Sequence, residues 1–147
     1  MIELNNLTAR KIDEDFLKEI VSQVLKGEKV KKEVELSIVL VGTARMRKLN
    51  KEYRGKNRTT DILSFGGVEA LPMARSDLLL GELVLCPRVV GKNAKRLNSS
   101  FEKEMTVCLI HGVLHLLGRD HAKGEKEARE MESKQDEYLL KLFANNK

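Results

Sequence analysis

All three histidines of this 147-residue chain lie in one stretch, HGVLHLLGRDH. His111 and His115 are four residues apart, and His121 follows six residues later. On a helix, a spacing of four displaces two side chains by only about 40° around the axis, so both imidazoles project from one face. Gly118 can end that helix and let the chain turn back. We therefore expect His121 to approach the other two from a loop.

Three converging imidazoles are the typical ligands of a catalytic zinc site, whose fourth position stays open for water. Such a metal lowers the pKa of its bound water to about 7 and polarises a phosphoryl oxygen. The pattern predicts one Zn²⁺ per chain, and nickel or manganese also accept nitrogen ligands. Cys108 lies one turn before His111, and as a fourth ligand it would make the site structural instead of catalytic.

The spacing HxxxHxxGxxH is also that of metzincin proteases, whose motif reads HExxHxxGxxH. The glutamate of that motif would be the general base for peptide hydrolysis, and Gly112 stands in its place here. Met131 follows in a charged helical segment instead of a methionine turn. Both differences disfavour a metalloprotease.

Basic residues are concentrated in one segment of a chain whose net charge is +5. From Arg45 to Arg58 there are seven basic residues and one acid. A second basic stripe, at helical spacing, consists of Arg88, Lys92, Lys95 and Arg96. This distribution favours a polyanionic partner bound on one face.

The segment that carries His111 and His115 has clear helix signals. Ser99 is the expected N-cap, with Glu102 three residues later as in a capping box, and Gly118 is the expected stop. Between these signals the residues are apolar nearly all round, which predicts a buried helix. Cys86 and Cys108 also stand among aliphatic residues, and we expect both to be buried free thiols.

Hydrophobic periodicity predicts the remaining elements. The expected helices cover residues 13–27, 43–54, 87–97, 101–117 and 125–143. The expected strands cover residues 34–41, 61–65 and 82–86. Because helices and strands do not alternate strictly, we predict an α+β fold: a single domain over residues 1–147, with a small mixed sheet covered by about five helices. The central buried helix would carry the metal ligands.

The N-terminus has no apolar signal-peptide core, and no run reaches the 18 apolar residues that a membrane span requires. We expect a cytoplasmic protein without a membrane partner.

Three stretches together resemble the YbeY family of bacterial metal-dependent endoribonucleases. They are HGVLHLLGRDH, LNKEYRGKNRTTDILSF (residues 49–65) and LGELVLCP (residues 80–87). One departure is the pair Gly66 and Gly67, where such proteins more often continue with a proline. The resemblance implies a zinc site at His111, His115 and His121, and a functional arginine at Arg54.

The resemblance also implies maturation of the 3′ end of small-subunit ribosomal RNA. It further implies contact with the small ribosomal subunit and with an Era-like GTPase, and no DNA substrate is expected. A noncatalytic RNA or ribosome assembly factor with a structural metal is the main alternative.

Phosphodiester cleavage places negative charge on nonbridging oxygens, and a guanidinium can hold two of them at once. Arg54, at the end of a basic helix, is therefore the candidate catalytic residue. The predicted RNA-binding residues are Arg45, Lys48, Lys51, Lys56 and Arg58. Asp61 and Asp120 are candidates for orienting a metal-bound histidine from behind.

Overall fold

The computed structural model describes residues 1–31, 33–67, 79–119 and 123–144. The strands are β1 (Ile2–Asn6), β2 (Glu35–Leu40), β3 (Ile62–Gly66) and β4 (Leu79–Leu85). The helices are α1 (Glu14–Gly27), α2 (Thr43–Arg54), α3 (Pro87–Arg96), α4 (Phe101–Leu116) and α5 (Glu125–Ala144). The predicted helices are thus confirmed with ends that differ by no more than one residue, whereas β4 begins at Leu79, before the predicted residue 82.

The strands form one mixed sheet in the order β1-β2-β4-β3. β1 and β4 run parallel to β2, and β3 runs antiparallel to β4. This arrangement confirms the predicted α+β fold with a small mixed sheet. β1 was not predicted, because its sequence IELNN has only two apolar residues and owes its extended form to pairing with β2.

The two faces of the sheet contact different helices. Alternate residues of β2, Leu36, Ile38 and Leu40, are fully buried in the main core with α1 and α4. The opposite face carries a smaller cluster around Val41 at the end of β2 and Met46 of α2. The period of two along the strand therefore places α4 and α2 on opposite sides of the sheet.

α4 is the buried central helix that the sequence predicts, with nine buried residues. Its N-cap is Ser100 and not Ser99: the Ser100 side chain accepts a hydrogen bond from the Lys103 amide at 3.1 Å. The Ser99 amide instead donates to the carbonyl of Ala94 and so belongs to the end of α3. Ser99 and Glu102 therefore do not form the predicted capping box.

Gly112 lets α4 approach the sheet closely. A Cβ atom added at Gly112 would lie 2.8 Å from both Ile62 Cδ1 and Leu83 Cδ2. Leu83 is fully buried and has little room to move. The missing general base of the protease motif is thus also a position where the packing leaves no space for a glutamate.

The backbone conformation of Gly66, the last residue of β3, and of Gly67 explains the departure from proline. Gly66 has φ 95° and Gly67 has φ 107°, whereas a proline ring holds φ near −65°. A Cβ at Gly67 would also lie 2.8 Å from the Leu116 carbonyl oxygen. Glycine is therefore required where β3 ends beside α4.

Cys86 and Cys108 are free and buried, as predicted. In the part of the chain that is described, no helix has both the length and the apolar character needed to cross a bilayer.

Candidate active site

One cavity of about 400 Å³ brings together residues from α2, β3 and α4. Its lining consists of Tyr53 and Arg54 of α2, residues 62–65 of β3, and His111, Gly112 and His115 of α4. Although α2 and α4 pack on opposite faces of the sheet, they meet at the edge strand β3. The cavity thus joins the predicted catalytic arginine to two of the three predicted metal ligands.

The two histidines line the cavity at different depths. His111 is half-buried and His115, one turn later, is exposed. His121 and Asp120 lie outside the described residues, so their predicted roles stay predictions. Among the described residues alone, no three His, Cys, Asp or Glu side chains are grouped to hold a metal.

Gln135 of α5 contacts the Nδ1 side of the His111 ring. Its Oε1 lies 3.1 Å from Nδ1 of His111. An amide oxygen accepts a hydrogen bond only from a protonated Nδ1, so this contact favours the tautomer with the ring's lone pair on Nε2. This is the tautomer in which an imidazole coordinates a metal through Nε2.

The packing of α5 explains why Gln135 points at α4. Met131 and Tyr138, four residues before and three residues after it, are both buried against the core. Gln135 therefore shares the face of α5 that packs toward α4. Sequence reasoning missed this residue, although its position between two buried residues at helical spacing was a usable signal.

The Cys108 thiol is hydrogen-bonded to Asp61, and Cys108 does not line the cavity. Its Sγ donates to Asp61 Oδ2 at 3.5 Å, and Asp61 Oδ1 accepts from the Ile62 amide at 2.8 Å. Burial, followed by the negative charge of Asp61, strongly raises the pKa of the Cys108 thiol. Cys108 is also not part of the lining that His111 and His115 share, which argues against a closed site with this thiol as the fourth protein ligand. The predicted role of Asp61 in orienting a histidine stays a prediction.

The basic segment lies beside the mouth of the cavity. Arg54 is the last residue of α2, and Gly55 ends the helix at φ 70°. Two side-chain hydrogen bonds hold the following loop against α2: Arg47 Nε donates to Asn57 Oδ1 at 2.9 Å, and Asn50 Nδ2 donates to the Arg58 carbonyl at 2.8 Å. The five predicted RNA-binding residues are all exposed: Arg45, Lys48, Lys51, Lys56 and Arg58.

Two aromatic residues of the cavity were not singled out from the sequence. The ring centroids of Tyr53 and Phe65 are 5.0 Å apart, with an angle of 71° between the ring planes. This edge-to-face contact links the end of α2 to β3 and forms part of the wall beside Arg54.

A half-buried carboxylate is hydrogen-bonded to the residue that follows the end of α4. Glu28, just after α1, accepts hydrogen bonds from Arg119 Nε at 2.9 Å and from the Tyr138 hydroxyl at 2.6 Å. Burial would raise the pKa of Glu28, but these hydrogen bonds and the positive charges of Arg119 and Lys134 together outweigh it, so the pKa is lowered. Burial and the bond to Glu28 raise the pKa of Tyr138.

Comparison with known proteins supports the resemblance. The profile of the family described as Endoribonuclease YbeY matches residues 3–143. Endoribonuclease YbeY of Thermotoga maritima is 37% identical over 86% of this chain and 79% of its own. The Bdellovibrio bacteriovorus protein of the same name is 39% identical over 95% of this chain and 92% of its own.

A solved structure agrees with the sequence comparisons. A solution structure from Thermotoga maritima superposes with a TM-score of 0.69 at 31% identity, covering 99% of this chain and 91% of that one. Endoribonucleases are hydrolases that cut RNA, so this membership makes RNA the substrate. By its sequence over most of its length, the chain belongs to the endoribonuclease YbeY family.

Proposed function

We propose that the chain is a zinc-dependent endoribonuclease specific for single strands, and that the cavity between α2, β3 and α4 is its active site. The observation that carries the proposal is the shared lining of this cavity by Arg54, His111 and His115. A guanidinium and two imidazoles are brought together there from distant parts of the sequence. His121 is the proposed third ligand.

The side chains that line the cavity include nitrogen donors that suit zinc. Imidazole nitrogen is a preferred zinc ligand, and Gln135 keeps the proton of His111 on Nδ1, away from the coordinating atom. When bound, zinc would lower the pKa of a coordinated water to about 7 and polarise a phosphoryl oxygen.

The chain's own residues bind the RNA and stabilise the reacting phosphate. Arg54 holds two nonbridging oxygens of the scissile phosphate and stabilises the charge that develops there. The exposed basic residues of α2 and the loop after it hold neighbouring phosphates. Gln135 keeps the His111 ring in place. The hydrogen bond from Arg47 to Asn57 helps to hold the backbone of the loop that carries Lys56 and Arg58 against α2.

Particular contacts disfavour the two alternatives. A noncatalytic factor with a structural metal needs a fourth protein ligand, and the Cys108 thiol is hydrogen-bonded to Asp61 and lies outside the cavity that His111 and His115 line. A metzincin-like protease needs a general base at position 112, where this chain has glycine and an added Cβ would already lie 2.8 Å from side-chain carbons of Ile62 and Leu83.

Family membership and the motif resemblance support a finer proposal for the substrate. The RNA is the 3′ end of small-subunit ribosomal RNA, cut during maturation and quality control of the ribosome. The small ribosomal subunit and an Era-like GTPase are the proposed partners, and the cytoplasm, where ribosomes are assembled, is the proposed location.

The test combines metal analysis with cleavage of a single-stranded RNA by highly purified protein. We expect about one zinc per chain and cleavage that chelator abolishes and zinc restores. His115→Ala should lose cleavage, whereas Lys103→Ala, an exposed change on the same helix, should keep it. Equal cleavage by both variants would mean a contaminating nuclease and would overturn the proposal.

A further inference from the structure

Tyr53 is an exposed aromatic residue beside the active-site cavity. Its exposed fraction is 65%, and it is the one aromatic among the large exposed hydrophobic residues of the described chain. The other tyrosine, Tyr138, is buried. The edge-to-face contact with Phe65, at a centroid distance of 5.0 Å, holds the Tyr53 ring in place while much of it stays in contact with water.

Tyr53 and Phe65 separate two cavities. Both residues line the active-site cavity with Arg54, and both line a second cavity of about 610 Å³. The walls of this second cavity are mainly apolar and include Leu49, Leu79 and Val84. Since Tyr53 immediately precedes Arg54, the aromatic pair lies at the boundary between a cationic space and an apolar one.

The chemistry of the second cavity suits a base better than a phosphate. Apolar walls do not stabilise a phosphate, and the carboxylate of Glu82, which also lines the cavity, repels one. A nucleobase presents a flat apolar face for stacking, and its edge carries N–H groups that can donate hydrogen bonds to a carboxylate. The base and the phosphate of one nucleotide are joined through a single ribose, so neighbouring cavities can hold both.

We propose that Tyr53 and Phe65 form a base-binding subsite, in which an unpaired RNA base next to the scissile phosphate stacks on Tyr53 and enters the second cavity. The inference rests on the proposed function, because it places the scissile phosphate at Arg54. It gives a physical reason for acting on single strands: a base in a duplex is stacked on its neighbours and must be unstacked before it can enter a protein pocket.

The experiment is a double-mutant cycle between the protein and the RNA. The protein is the wild type or one of three variants: Tyr53→Ala, Tyr53→Leu or Tyr53→Phe. The substrate is a short single-stranded RNA, either intact or with the base removed at one nucleotide near the cleavage site. Single-turnover cleavage against the concentration of zinc-loaded enzyme yields the half-saturating concentration and the maximal rate separately.

On intact RNA, Tyr53→Ala and Tyr53→Leu should raise the half-saturating concentration about 5- to 100-fold, which is the usual range for losing one base–aromatic stack. Tyr53→Phe keeps the ring and should stay within about twofold of wild type, because the stack needs no hydroxyl. With the base missing at the bound nucleotide, wild type and Tyr53→Ala should bind equally. Leu140→Ala removes another exposed apolar side chain, on α5, and should change nothing.

Two results would overturn the subsite. One is a Tyr53→Ala effect that is equally large on every abasic RNA, which would mean general damage to the site. The other is unchanged binding of intact RNA. If the wild-type protein does not cleave this RNA, the proposed function fails by itself, and the same cycle is then measured by equilibrium binding of the RNA.

Discussion

Nδ1 of His111 and Oε1 of Gln135 lie 3.1 Å apart, so the helix that carries the histidines is joined to the last helix of the chain through an imidazole. The contact orients the His111 ring and favours the tautomer that donates from Nδ1. Metal-binding histidines generally have such a partner behind them, and its loss typically lowers metal affinity about 10- to 100-fold.

Replacing Gln135 should therefore weaken zinc binding without removing a ligand. We expect Gln135→Leu to lower zinc affinity about 10- to 100-fold, and Gln135→Glu to retain it because a carboxylate also accepts from Nδ1. Competition with a chelator of known affinity measures the change. Gln23→Leu on α1, where the glutamine side chain donates to Glu19 Oε1 at 2.7 Å, is the matched control. Equal affinities for Gln135→Leu and Gln23→Leu would contradict the positioning role.

Removal of the Arg54 guanidinium should slow the chemical step more than it weakens binding. If Arg54 meets charge that develops in the transition state, Arg54→Ala lowers the single-turnover rate about 100- to 1000-fold at saturating enzyme. Arg54→Lys should recover only part, because an ammonium lacks the planar two-pronged contact. Zinc content should not change, and Arg45→Ala on the same helix is the control. If Arg54→Ala and Arg54→Lys cleave at the wild-type rate at saturating enzyme, Arg54 only binds a phosphate and has no catalytic role.

Charge reversal on α2 should change the salt dependence of RNA binding. Each phosphate contact on a single strand contributes roughly 0.7 to the slope of log affinity against log salt. Lys48→Glu with Lys51→Glu should flatten that slope while leaving zinc content unchanged. Lys26→Glu with Lys141→Glu changes net charge equally on exposed sites of α1 and α5. If both pairs give the same slope, the RNA binds elsewhere, and the stripe around Arg88 and Lys92 is the next candidate.

A methyl group at position 112 should destabilise the fold. Because the new Cβ would lie 2.8 Å from side-chain carbons of Ile62 and Leu83, Gly112→Ala overpacks the contact between α4 and the sheet. Overpacking typically costs about 1–3 kcal/mol. Urea unfolding of wild type and variant measures the difference, with Gly42→Ala as a control at which the added Cβ meets no atom within 4 Å. A loss confined to Gly42→Ala would contradict the packing argument.

Acid should remove the stability that Glu28 contributes. The pKa of Glu28 is lowered from its ordinary value of 4.5 in the folded protein, so the folded state favours the charged form. This stability is complete above the unfolded pKa and is lost as pH falls through the folded value. The gap in unfolding free energy between wild type and Glu28→Gln should be constant from pH 7 to about 5, then shrink at lower pH. If this difference in unfolding free energy does not change with pH, the charge of Glu28 does not contribute to stability.

Local signals were sufficient for most of the fold. Helix ends could be predicted because their causes lie within one or two turns: Asp13 caps α1 by accepting from the Phe16 amide, and Gly55 ends α2 in the left-handed conformation. The apolar residues of α4 predicted its burial, and the spacing of His111 and His115 predicted that both project from one face of the helix. Propensity and periodicity act over short ranges, so a single sequence carries them.

What the sequence by itself determined is therefore the helices, the α+β class, the family resemblance and the chemistry of the histidine and arginine motifs. The tertiary structure decided which distant segments meet: Arg54 with the histidines across β3, Gln135 with His111, and Tyr53 with Phe65. It also made the polar N-terminus a strand and moved the cap of α4 to Ser100. These features depend on contacts between residues far apart in the chain, and local propensity holds no information about such pairings.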